Sequence, residues 1–76
     1  MNWSKIYIEI CDHLKDNGKK KYADYLNEAL LMGATGEEIF DIAITRLMEL
    51  QDKKELQEVK DKVNSILNYA KSINHL

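Results

Sequence analysis

The chain has 76 residues, 13 acidic and 11 basic side chains, a net charge of −2, one cysteine and no proline. That length allows one domain with a limited core. A single cysteine rules out an internal disulfide, and no apolar run approaches the roughly 20 residues a membrane-spanning helix needs. The slight acidity weighs against nucleic acid as the main ligand, and a lone thiol suits a reducing compartment, so the expected location is the cytoplasm.

The opening stretch MNWSKIYIEI mixes polarity and carries Glu9, which is not the pattern of a signal peptide. Trp3, Ile6, Tyr7, Ile10 and Leu14 recur at helical spacing, which predicts a first helix over about 3–17 with Asn2 or Ser4 as its cap. Gly18 in DNGKKK is the expected left-handed residue at its end. A second helix over about 19–32 buries Tyr22, Tyr25, Leu26, Ala29 and Leu30, and Gly33 stops it.

Thr35 and Glu38 have the spacing of a capping box, so a third helix is expected over about 36–50. It is apolar nearly all round, through Ile39, Phe40, Ile42, Ala43, Ile44, Leu47, Met48 and Leu50. A helix with so narrow a polar line must be covered by others. In the last segment, about 53–74, Leu56, Val59, Val63, Ile66, Ala70 and Ile73 step by three and four. That seam suits shallow-angle packing. A helix of that length would span about 33 Å and overhang the others at NYAKSINHL. The expected fold is all-α: a single-domain antiparallel four-helix bundle with a longer C-terminal helix.

No catalytic constellation stands out, and the chain is not expected to be an enzyme or to use a cofactor or metal. Cys11 and His13 are two residues apart and point to different sides of a helix, so they do not share a metal. Cys11 reads as a small core residue, His13 as a solvated surface histidine and His75 as lying near a fraying end. GATG follows a helix and lacks the lysine of a phosphate-binding loop, so it reads as one helix end followed by the next helix start. GATGEEIFDI also resembles the turn of a helix-turn-helix domain. A recognition helix needs an outward basic face, however, and the third helix has Arg46 alone. Lys19, Lys20 and Lys21 read as a solvated turn.

The placement of acid is more informative than its total. Glu58 precedes Lys62 by four and Glu49 precedes Lys53 by four, spacings that support a helix. In contrast, Asp12 and Asp16, Asp24 and Glu28, and Glu37 and Asp41 are like-charged pairs four apart. Each costs about 0.2–0.5 kcal/mol in an isolated helix. They are either ordinary solvated faces or the contact surface for a cationic partner, which would relieve the repulsion and gain a steered on-rate.

The stretch YLNEALLMGATGEEIFDIAITRLMEL resembles the middle of small all-helical immunity proteins of bacterial toxin systems, including contact-dependent growth inhibition. The resemblance covers about a third of the chain. It implies a cytosolic protein that binds a cognate toxin domain, often a nuclease, and blocks its active site; it assigns no interface residues. From the charges, the expected partner-binding residues are Asp24, Tyr25, Glu28, Glu37, Glu38 and Asp41, facing a basic surface, with Tyr25 as an aromatic anchor. Two other readings stand beside this one. The first is a small regulatory or adaptor protein, self-associating through the fourth helix. The second is a helix-turn-helix-like DNA-binding regulator.

Overall fold

A computed structural model describes all residues from 1 to 76. The chain forms α1 (Trp3–Asp16), α2 (Lys20–Met32), α3 (Gly36–Leu50), a 3-10 helix (Lys54–Val59) and α4 (Lys60–Ser72). The fold is all-α, as the periodicity predicts, and no helix is long and apolar enough to cross a membrane.

The starts of α1 and α3 and the ends of α1 and α2 have local causes. The Asn2 side chain accepts from the Lys5 amide at 3.2 Å and caps α1. At its end Gly18 takes φ +76°, while the Lys19 amide donates to the Leu14 carbonyl and the Gly18 amide to the Lys15 carbonyl. Those two reversed bonds form a Schellman ending, which glycine allows without strain. Thr35 Oγ1 caps α3 by accepting from the Glu38 amide at 3.2 Å. Glu38 reaches back to the Ala34 amide at 3.4 Å, one residue earlier than a standard capping box. Gly33 ends α2 in extended conformation rather than a left-handed one. Its lack of a side chain is required by space: a Cβ there would lie 2.6 Å from the Ile39 amide nitrogen and 2.7 Å from Ile39 Cγ1.

Short joints turn α1 into α2 and α2 into α3, the 3-10 helix leads from α3 to α4, and cross-contacts fix the ring order. Tyr7 Oη donates to the Leu26 carbonyl at 2.6 Å between α1 and α2. Tyr25 meets Glu49 between α2 and α3. The Phe40 and Tyr69 rings meet between α3 and α4. Lys62 of α4 reaches Glu9 of α1 and closes the ring. The core holds 18 buried side chains and no buried polar or charged residue. From α3 it takes Phe40, Ala43, Ile44, Leu47 and Leu50, so the neighbours sheathe most of that apolar helix; Met48 stays 45 % exposed. In α2, Ala23 joins Leu26 and Ala29 inside, whereas Tyr22, Tyr25 and Leu30 are half-buried against the core.

The C-terminal segment departs from the expected long helix. Lys53 is extended, and the chain bends at Val59 between the 3-10 helix and α4. The step of three from Leu56 to Val59 fits a 3-10 period as well as an α period, and both side chains are buried. α4 is therefore 13 residues long, no longer than its neighbours, and has no overhang. The seam holds through Leu56, Val59, Val63, Ile66 and Ala70, with Leu67 added, while Ile73 is exposed.

Candidate partner-binding surface

The six acidic and aromatic residues picked from the sequence fall into two groups. Asp24, Tyr25 and Glu28 line a groove of about 590 Å³ between α2 and the end of α3, together with Lys21, Tyr22, Glu49, Leu50 and Lys53. Glu37, Glu38 and Asp41 sit near the start of α3. At 1.5 Å per residue, Glu37 and Glu49 are roughly 18 Å apart along that helix.

Tyr25 is the most constrained member. Its hydroxyl donates to Glu49 Oε2 at 2.5 Å. The Arg46 guanidinium lies over its ring, 4.2 Å from the centroid, and donates to its backbone carbonyl at 2.6 Å. Arg46, with its side chain only 12 % exposed, also pairs with Glu28 at 3.5 Å and touches Met32 Sδ. The hydrogen bond to Glu49 raises the Tyr25 phenol above its ordinary range, because losing the proton would set two anions side by side.

These pairings correct the picture of unrelieved acid. Asp24 is matched by Lys20 at 2.7 Å and Glu28 by Arg46, while Asp41 lies beside the His75 ring. Glu38 is occupied by the Ala34 amide. Glu37, in the first turn of α3, takes part in none of the ion pairs. His13 lies at the surface, as expected, whereas His75 does not lie at a loose end. His13 Nε2 meets Glu58 Oε2 at 2.9 Å, which ties α1 to the 3-10 helix. His75 is folded against Phe40, its ring 4.6 Å away. Cys11 is a fully buried core residue, and burial, with a smaller push from Asp12, drives its thiol up to about 12.

Arg46 and Glu49 organise the groove, and sequence patterning does not single them out. The available signal is that Arg46 is the only arginine, set on the side of α3 that faces α2.

A second feature arises from the folding topology. The start of α1, the end of α2, the start of α3 and the end of α4 all lie at one end of the antiparallel ring. That end carries Met1, Leu31, Met32, Ile73 and Leu76, five of the seven exposed large apolar side chains; Ile8 and Met48 are the others. Leu31 is 86 % exposed, and Glu37 and Glu38 stand at the same end. The opposite end collects Lys15, Lys19, Lys20, Lys21, Lys53 and Lys54 with Asp16, Asp52 and Glu55. One end is oily and the other densely charged.

Fold and surface together define an all-α bundle with a one-sided apolar end and a braced tyrosine groove. Comparison of the chain with known proteins finds no matching family model, no matching curated protein and no matching solved structure.

Proposed function

We propose that this protein is a non-catalytic, stoichiometric protein-binding module, and specifically an immunity protein that neutralises a cognate bacterial toxin by covering its active site. The observation that carries the binding reading is the gathering of Met1, Leu31, Met32, Ile73 and Leu76 at one end beside Glu37 and Glu38. Exposed apolar groups rimmed by charge are the usual composition of a protein contact. The toxin assignment comes from the resemblance of residues 25–50 to small helical immunity proteins, and on that reading the protein acts in the cytosol.

In mechanism, the apolar end loses water against the partner while Glu37, a carboxylate in none of the ion pairs, meets a basic group at its margin. The α2–α3 groove extends the contact. Tyr25 is already fixed by Arg46 and Glu49, so little side-chain freedom is lost when it is covered. Asp24 and Glu28 contribute long-range attraction to a positive surface. A DNA-reading role is disfavoured because Arg46, the only cation of α3, is turned into the α2 contact.

The test takes the protein encoded by the reading frame adjacent to this chain's in the source genome; a neighbour without a toxin-like C-terminal domain rejects the toxin assignment. The two proteins are mixed and titrated by calorimetry. A one-to-one complex is expected. Leu31→Asp and Glu37→Lys should each weaken it by roughly tenfold or more, about 1.4 kcal/mol, with helicity unchanged. No complex with that domain rejects the toxin assignment, and a complex indifferent to both substitutions rejects the surface.

A further inference from the structure

The groove between α2 and the end of α3 encloses about 590 Å³, within the roughly 300–1,000 Å³ of sites that take small molecules. Its apolar walls are Tyr22, Tyr25 and Leu50. Tyr22 and Tyr25 stand three apart on α2, so both rings fall on one side of that helix. Tyr25 is held in place: Arg46 covers its ring at 4.2 Å and Glu49 takes its hydroxyl. Arg46 is not itself a wall of the groove, so it braces the ring from outside. A ligand therefore meets a surface already fixed, which lowers the ordering cost of binding.

The charged walls are not equivalent. Glu49 is engaged by the Tyr25 hydroxyl, Glu28 by Arg46 at 3.5 Å and Asp24 by Lys20 at 2.7 Å. Lys21 and Lys53 are exposed and take part in none of the ion pairs. Lys53 follows Glu49 by four, the spacing of a helical pair. However, α3 ends at Leu50 and Lys53 is extended, so the two do not pair. The uncompensated charge of the groove is thus cationic: two ammonium groups beside an aromatic wall. An anion gains there, while the three nearby carboxylates penalise a ligand of more than one negative charge.

We propose that this groove is a binding site for a small amphipathic carboxylate, an aromatic ring that carries its acid group on a short arm. The ring lies against Tyr22, Tyr25 and Leu50, and the carboxylate points toward Lys21 and Lys53. The ring leaves water for an apolar, aromatic wall, and the ammonium groups hold the carboxylate by charge-assisted hydrogen bonds. This site goes beyond the toxin reading and needs no partner protein, so the two stand or fall separately.

The experiment titrates the free, full chain with phenylpropionate at neutral pH and follows its backbone amide resonances by NMR. Saturable shifts are expected, concentrated in residues 21–28 and 49–53. Phenylpropionamide, with the same ring and no charge, should bind roughly fivefold more weakly, the scale of one or two exposed ion pairs. Combining Lys21→Gln with Lys53→Gln should remove that preference for the acid, whereas Lys71→Gln, at the other end of the bundle, should leave it intact. Tyr25→Leu should weaken both ligands. Far-UV circular dichroism checks that each variant stays helical. No saturable shift at the groove, shifts centred elsewhere, or a preference for the acid that survives the double substitution overturns the proposal.

Discussion

The joint between α2 and α3 shows how two glycines three residues apart serve opposite needs. At Gly33 a methyl group would press on the Ile39 backbone at 2.6 Å, and backbone yields far less readily than a side-chain tip. Gly33→Ala should therefore destabilise the fold by about 1–3 kcal/mol through overpacking. Gly36 has open space around its would-be Cβ and is the first residue of α3. Gly36→Ala should stabilise by about 0.5 kcal/mol, chiefly by restricting the unfolded chain. Urea denaturation of the two variants should move the midpoint in opposite directions; like-signed shifts would contradict the geometry at Gly33.

Two buried protons make a second argument at this scale. Burial raises the Cys11 thiol from 9.0 to about 12 and raises the Tyr7 phenol above its ordinary 10.0. For both groups the folded chain holds its proton after the unfolded chain has released it. Their contribution is complete below about pH 9 and shrinks as pH climbs from there. Stability should fall above pH 9 by at most about 1.4 kcal/mol per pH unit for each such group. Cys11→Ala should flatten part of that slope while lowering stability at neutral pH. Measurement of urea midpoints from neutral to alkaline pH checks it.

At the scale of elements, α1, α2 and α3 are legible because each carries its own punctuation. Asn2, Gly18 and Thr35 act through bonds that span three to five residues, which a linear reading can follow. The C-terminal segment is not legible in the same way. No Ser, Thr, Asp or Asn stands at Val59 to announce the start of α4, and the step from Leu56 to Val59 suits two helical periods equally. The 3-10 helix lies against the end of α1, where His13 meets Glu58, a long-range contact that a linear reading does not reveal. The candidate site divides likewise. Lys20 lies four residues before Asp24, a pairing visible in the sequence, whereas Arg46 of α3 and His75, beyond α4, approach Glu28 and Asp41 from distant parts of the chain. Asn74, at φ +57°, belongs among the local signals. Asn74→Val should cost about 1–2 kcal/mol, because a β-branched residue resists the left-handed conformation, while Asn74→Gly should be tolerated. Thermal unfolding compares the two.

At the scale of the whole molecule, the fold decides which apolar surfaces remain for contact with other proteins. A homodimer through the C-terminal helix needs its heptad seam free. Yet Leu56, Val59, Val63, Ile66 and Ala70 are at most 3 % exposed and face α1 and α3 within one chain. Freeing them would dismantle a core of 18 residues. The apolar end is the remaining candidate for self-contact, and it is small. The two shorter extents of the molecule are 24 and 20 Å, so this end is a narrow face. A heterologous partner can continue from the end onto the α2–α3 groove, whereas end-to-end symmetry leaves that groove uncovered. The free protein should sediment as a monomer across a wide range of concentration, and Val63→Glu should unfold it rather than merely dissociate it. A concentration-dependent dimer whose helices remain intact in Val63→Glu would mean that the seam is not the core of the single chain, and both the bundle and the surface assigned to it would have to be redrawn.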